Sequence, residues 1–308
     1  MAVQAQTQKI LITNNIGRQY WIWDSDSFYT QRLRAGPYQK QNLLRLRGLC
    51  PQPKRMLDIG MNIGMNTIEY ATWAQHVVGF EPVPTTYQIA LDNIALNLQH
   101  QDSTKGWLRN PDGTWASLLP TAHIDTHNVA LGPAPGSVEM HIKKNDGHNR
   151  VANDGYSTPS GRKVKTNTGY QRVSVPQLTL DSYGYTDVDV IKIDVEGYEL
   201  NVLEGASATI AANRPIVQVE CVENQPRAFG KTIQDLMDYF TQRNYVITTA
   251  DGVVRGPKWC YVKKMMDRFM IPAERTDLYD PNNVAVEEDA EVTQFLNPEL
   301  FAYEGDDE

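Results

Sequence analysis

Five short apolar runs, each closed by an acid or a turn residue, recur along the chain: "RMLDIG", "HVVGFEP", "HIDTHNVALG", "VDVIKIDVEG" and "RPIVQVE". Segments of helical period separate several of them. In "PTTYQIALDNIALNLQ", Tyr87, Ala90, Leu91, Ile94 and Leu98 fall on one face, with Thr85 or Thr86 as cap. "GYELNVLEGASATIAA" aligns Leu200, Leu203 and Ile210. "KTIQDLMDYFTQ" aligns Ile233, Leu236, Met237 and Phe240 behind a capping box of Thr232 and Asp235. Strands alternating with helices specify a parallel sheet with helices over it, because parallel neighbours need long crossovers. The rhythm changes at "NYVITTADGVVRGPKWCYVKK", where two strand-like runs flank Asp251-Gly252 and predict a closing antiparallel pair.

Two stretches interrupt the pattern. Residues 101–122, with "NPDGTW" inside, read as an inserted loop or hairpin. Residues 143–172 are polar, Gly-rich and too long for an ordinary connection, as loops that cover or bind ligands are.

Charge is unevenly spread. From Asn282 to Glu308 there are nine acidic residues and no Lys or Arg, so against the chain's net −8 the first 281 residues carry +1. A nearly neutral body gives no support for a nucleic-acid groove. The acidic tail reads as solvated, although its "FLNPELFAY" is apolar enough to dock or to meet a protein partner. Cys50, Cys221 and Cys260 are odd in number, widely spaced and form no C-x-x-C pair, which fits a reducing compartment. The start "MAVQAQTQKI" has no apolar signal core and no run reaches membrane-spanning length. The expectation is a soluble cytoplasmic protein.

Chemistry concentrates at the ends of the apolar runs. "KRMLDIGMNIGMNT" ends a strand at Asp58, then sets Gly60 and Gly64 around Asn62 before a helix beginning near Asn66. Such a turn is either a plain strand-to-helix connection or a place where a ligand touches bare backbone and the first helical amides. The spacing is not the G-x-G-x-x-G of nicotinamide dehydrogenases, which argues against an oxidoreductase. Glu81, at the tip of the next strand and 23 residues after Asp58, is placed to accept both hydroxyls of a ribose. Together they describe a nucleoside site with no required phosphate, which S-adenosyl-L-methionine fits. In "VDVIKIDVEG" the period of two puts Val190, Lys192 and Asp194 on one strand face with Glu196 following, and "IVQVE" aligns Gln218 and Glu220 in the same way. Buried charges at strand ends are costly unless paired or used, so the cluster is either a brace or a reacting centre.

The ordered set "LDIGMNIGMNT", "GFEPVP", "NVALG", "LTLDSY", "IKIDVEGYELNVLEGA" and "RPIVQVE" resembles the FkbM-type methyltransferase family from about Gly17 to Lys264, most specifically in "IKIDVEG". The resemblance implies a class I methyltransferase fold. That is a Rossmann-like α/β sheet of about seven strands, mostly parallel with an antiparallel last strand and helices on both faces. It also implies methylation of a hydroxyl on a sugar, glycan or natural product. Cofactor contact carries onto Asp58, Gly60, Asn62, Gly64, Asn66, Glu81 and Pro82, and onto Asn128 and Val129 beside the adenine. Met61 stands where the family usually has a small alanine. On this basis residues 1–48 form a leading segment packed on the catalytic domain. Residues 49–268 form that domain with both insertions, and 269–308 a C-terminal extension.

An alcohol needs its proton managed during methyl transfer. Asp194 or Glu196 is the expected base, with Lys192 orienting it and Glu220 nearby. The alternative is a hard divalent cation held by Asp194, Glu196 and Glu220. The metal-free route is preferred, because no third acid lies in "IKIDVEG" itself. The six histidines show no metal spacing, and no metal site is assigned. The rival from another class is an inactive, fold-retaining component that binds a partner through the tail or the 143–172 segment.

Overall fold

The computed structural model of the chain describes residues 9–14, 17–23, 27–99, 107–109, 115–117, 120–143, 150–151, 170–222, 225–255 and 266–284. Its first elements are an antiparallel hairpin, β1 (Lys9–Thr13) and β2 (Gln19–Trp23), and two helices, α1 (Ser27–Ala35) and α2 (Lys40–Leu49). β3 (Arg55–Ile59), α3 (Met65–Tyr70), β4 (His76–Phe80) and α4 (Pro84–Gln99) follow. A short antiparallel pair, β5 (Trp107–Arg109) and β6 (Trp115–Ser117), precedes β7 (His123–His127). Next come β8 (Ala130–Leu131), β9 (Gly136–Lys143), β10 (Arg150–Val151) and β11 (Tyr170–Leu178). The remainder runs β12 (Val188–Ile193), α5 (Glu199–Glu204), α6 (Ser207–Asn213), β13 (Ile216–Cys221), α7 (Ile233–Thr241), β14 (Tyr245–Thr248), β15 (Val254–Arg255) and β16 (Met266–Pro272).

The main sheet has the order β15-β14-β16-β13-β12-β3-β4-β7. Its centre is parallel, through β13–β12, β12–β3, β3–β4 and β4–β7, whereas β16 lies antiparallel between β13 and β14. The expected α/β sheet is therefore present, but as eight mixed strands rather than about seven. The turn around Asp251-Gly252, with Gly252 at φ 86°, folds β15 back onto β14 and adds a second reversed strand. A separate four-stranded sheet, β10-β9-β11-β8, packs beside it.

Central strands are buried on both faces, which is why their sequences are continuous apolar runs rather than alternating ones. Leu57, Ile59, Ile191, Ile193, Val217 and Val219 point into a core with Leu203, Ile210, Leu236, Met237 and Phe240 from α5, α6 and α7. Their strand neighbours Met56, Val190 and Ile216 point the other way, onto Leu43, Leu46 and Leu49 of α2. The expected stripes on α5, α6 and α7 are thus core-facing. Thr232 and Asp235 make the reciprocal capping box at the start of α7. Replacing that cap, Thr232→Ala, is expected to cost about 1 kcal/mol. The measurement is a lower urea midpoint with an unchanged slope, and an equal midpoint would show that the Asp235 N–H finds another acceptor.

Several expectations need correction. α4 starts at Pro84, ahead of both threonines, and its buried face holds Ile89, Ala90, Asn93, Ile94 and Asn97 while Leu98 is exposed. The asparagines are buried because they serve the backbone of β2: Asn93 bonds to Trp21 and Asn97 to Gln19 in both directions. The 143–172 stretch is not wholly loop, since Lys143 ends β9, Arg150–Val151 form β10 and residues 170–172 begin β11. Within 101–122, β5 pairs with β6 as a hairpin does. β16 crosses residue 268, so the sheet continues past the boundary drawn there. The rest of the 143–172 segment and the acidic stretch 285–308 lie outside the described residues. Among the described residues, no helix is long and apolar enough to cross a membrane.

Candidate active site

β3 and β12 are neighbours in the sheet but not in the chain. From β3 the chain builds outward through β4 and β7, and from β12 it builds the other way through β13. At such a switch point the connections diverge and leave a crevice beyond the carboxyl ends of the strands. Asp58, Lys192 and Gln218 stand in register across β3, β12 and β13 at that end.

Lys192 is 3% exposed and Asp58 not at all. The Lys192 Nζ lies 3.4 Å from Asp58 Oδ1 and 3.3 Å from Asp194 Oδ2, and donates to the Gly60 carbonyl at 3.2 Å. Burial works against a charged lysine, but Asp194 and Asp58 outweigh it and hold its pKa above the ordinary value. Asp58 Oδ2 also accepts from Thr67 Oγ1 at 2.6 Å. The ammonium therefore ties the tips of β3 and β12 together, and in doing so fixes the Asp194 carboxylate.

The glycines of the turn have reasons of their own. A Cβ on Gly60 would stand 1.9 Å from the Asp194 carbonyl oxygen, and its φ is +80°. Backbone packing between the two loops thus requires this glycine without any ligand. Gly64 has φ +84° at the start of α3 and meets only ordinary contacts, so conformation alone selects it. Asn62 also adopts a positive φ of 51°. α3 is six residues long, too short to make its amides a strong anion site. Asn66 is turned toward the N-terminal segment, donating to Gln39 Oε1 at 3.1 Å, while its own Oδ1 is buried without a hydrogen-bond partner among the described residues.

Glu81 follows β4 and is 6% exposed. Burial raises its pKa to about 7 even though the backbone N–H groups of Val83 and Asn62 donate to it. The Asn128 side chain donates to the carbonyls of Glu81 and Pro82 at 2.8 and 3.0 Å, pinning the end of β4 to the loop after β7. The Val129 side chain belongs to the core cluster that also holds Leu57 and Phe80.

Asp194, Glu196 and Glu220 converge, with one carboxylate oxygen from each lying within 4.8 Å of the others. Glu220 comes from β13, so the third acid that "IKIDVEG" lacks is supplied from another strand. Its Oε2 is buried without a hydrogen-bond partner among the described residues, and burial, then Asp194 and Glu196, push its pKa well up. Glu196 sits at φ 56° and accepts from the Gln225 amide at 2.9 Å. Buried Glu199 holds that loop by accepting from the N–H groups of Val195 and Gly197.

Sequence reasoning missed four contributors. Glu199 shapes the loop carrying Glu196, and Gln225 bonds to Glu196 itself. Asp267 on β16 accepts from Gln218 and from Asn42 of α2, and burial followed by Asp194 raises its pKa to about 6. Tyr38, between α1 and α2, has its hydroxyl pKa raised first by burial and then by Asp194. Only the short spacing from Glu196 to Glu199 could have signalled any of them; the others arrive through topology.

A crossover sheet with ionisable side chains gathered at the switch point defines an α/β protein built around a crevice of the Rossmann-like kind. Residues 58–247 match the family model described as the methyltransferase FkbM domain, and the chain belongs to that family. No curated protein matches the sequence. Among solved structures, it is similar to methyltransferase FkbM from Methylobacillus flagellatus KT, with 16% identity, a TM-score of 0.40 and coverage of 71% of this chain. The chain spans only 43% of that protein's length. It is also similar to Trm1 from Pyrococcus horikoshii, solved in complex with S-adenosyl-L-methionine, with 15% identity, a TM-score of 0.42 and coverage of 87% and 63% of the two chains. At that level of likeness neither says what this chain binds.

Proposed function

We propose that the chain is an S-adenosyl-L-methionine-dependent methyltransferase acting on a hydroxyl of a sugar, glycan or natural product. The observation that carries the reading is the set of carboxylates at the carboxyl ends of β3, β4, β12 and β13 around one switch point, in a chain of the FkbM family. The buried Glu81 carboxylate at the tip of β4 fits a ribose, whose two adjacent hydroxyls are donors a carboxylate accepts. The cofactor supplies an electrophilic methyl group. Asp194, fixed by Lys192, takes the acceptor's proton, while Glu220 and Glu196 complete an acidic wall that orients the hydroxyl. A small-molecule or carbohydrate acceptor is the expected partner.

A hard cation bound by Asp194, Glu196 and Glu220 is the second reading. It is favoured by the convergence of three oxygen donors and by the unpartnered Glu220 Oε2.

Calorimetry of S-adenosyl-L-methionine and its demethylated product tests the cofactor assignment. The ionised Glu81 carboxylate accepts the ribose hydroxyls, so protons compete with the ligand below the free group's pKa of about 7. Affinity is expected to rise with pH at roughly tenfold per unit below that value and to level off above it. Glu81→Gln is expected to lose about 1.5–3 kcal/mol of binding at alkaline pH and to flatten the profile. Equal affinity and an unchanged profile in Glu81→Gln would remove Glu81 from the ribose.

A further inference from the structure

The opposite end of the sheet carries a second gathering of ligand atoms. β4 and β7 are parallel neighbours in register, with His76 opposite His123 at their amino ends. Asp125 is two residues along β7, on the same face as His123. Its two carboxylate oxygens each meet one imidazole: Oδ2 lies 2.8 Å from His76 Nε2, and Oδ1 3.1 Å from His123 Nε2. The rings pack edge to face at 4.9 Å between centroids. Spacing along the sequence hid this set, because one histidine comes from the preceding strand.

We propose that His76, His123 and Asp125 form a binding site for a borderline divalent cation of the Zn²⁺ class, clamping edge strand β7 to β4. Two imidazoles and a carboxylate are the donor set such ions take, and three protein ligands leave a position for water. One ligand atom from each residue lies within 4.8 Å of the others. Bonds of about 2.0–2.2 Å in a tetrahedron put ligand atoms roughly 3.3–3.6 Å apart. Asp125 meets the two rings through different oxygens, at 2.8 and 3.1 Å, so its carboxylate turns to present one oxygen to the ion between them. The His123 side chain is 70% exposed and the Asp125 side chain 47%, so this adjustment disturbs little packing. The crevice acids offer oxygen alone and suit a harder ion, so a Zn²⁺-class ion discriminates between the two ends of the sheet. A metal here joins the last strand of the sheet, as described, to its only neighbour.

The test uses the full-length chain without a histidine tag. Co²⁺ is expected to give the intense visible absorption of a four-coordinate site, and one equivalent of Zn²⁺ to displace it. Zn²⁺ is also expected to raise the melting temperature reversibly with chelator. His123→Ala, at an exposed position, should keep the fold by circular dichroism. It is expected to lose affinity by more than the roughly 10–100-fold that follows disturbance of an outer-shell partner. Asp194→Asn should bind Zn²⁺ like the wild type. Absence of Zn²⁺ binding would show that Asp125 only accepts two imidazole N–H bonds, and overturns the proposal. Binding that survives His123→Ala but fails in Asp194→Asn moves the ion to the crevice and also overturns it.

Discussion

Asp194→Asn lowers methyl transfer by roughly a hundredfold to ten-thousandfold and leaves cofactor affinity near the wild-type value; this is the expected cost of losing a positioned base. Asparagine keeps the shape of the side chain but can neither accept the acceptor's proton nor supply a full ligand charge. Glu81 lies two strands away across β3 and β4, so the substitution leaves the proposed ribose site untouched. Activity is read as release of the demethylated cofactor on whichever sugar or natural-product hydroxyl the wild type accepts from a panel. A chelator separates the two chemical routes, since only a cation-dependent enzyme loses activity to it and regains activity with Mg²⁺ or Mn²⁺. Full activity in folded Asp194→Asn would exclude both roles. The proton would then be assigned to Glu196 or Glu220, the other two acids of the cluster.

Removing the lysine is expected to act on the fold itself. Lys192→Met keeps length and apolar contact but strands Asp58, which is fully buried, and Asp194 beside it. Breaking a buried ion network from one side typically costs about 3–5 kcal/mol, because the remaining charge has neither water nor partner. Against a total stability of about 5–15 kcal/mol that is a large fraction. Chemical denaturation measures it, and repeating the measurement at lower pH identifies its origin. Protonation neutralises the stranded carboxylates, so an electrostatic deficit narrows on acidification, whereas a packing defect stays constant. A deficit below 1 kcal/mol (about the worth of an exposed pair) would mean that Lys192 is not the brace described.

The α/β alternation was legible because each buried strand is an apolar run and each helix presents a stripe. The α7 cap and the Asp251-Gly252 reversal were legible for the same reason, since their determinants are local. What escaped depends on distant partners. Asn93 and Asn97 look like solvent-facing residues until β2 arrives to use their amides. Gly60 reads as a ligand contact in the sequence, and the carbonyl of Asp194, far along the chain, gives it a packing reason of its own by leaving no room for a side chain. Glu220 joined Asp194 through strand pairing that apolar periodicity cannot specify. At the crevice, residue types were readable in the sequence, whereas their division between bracing and chemistry became visible only in the distances around Lys192.

The position of β16 has a consequence for how the chain matures as it leaves the ribosome. β13 and β14 are made first, yet they never touch as sheet partners, because β16 occupies the slot between them. Until residue 272 has emerged, both strands keep an open edge in what will become the interior of the sheet, a long-range closure that is slow and prone to mispairing. The same late strand delivers Asp267 to Gln218 and to Asn42 of α2. Assembly of the acidic crevice therefore waits for β16, and a nascent chain released before that strand emerges carries two sticky borders and an incomplete pocket.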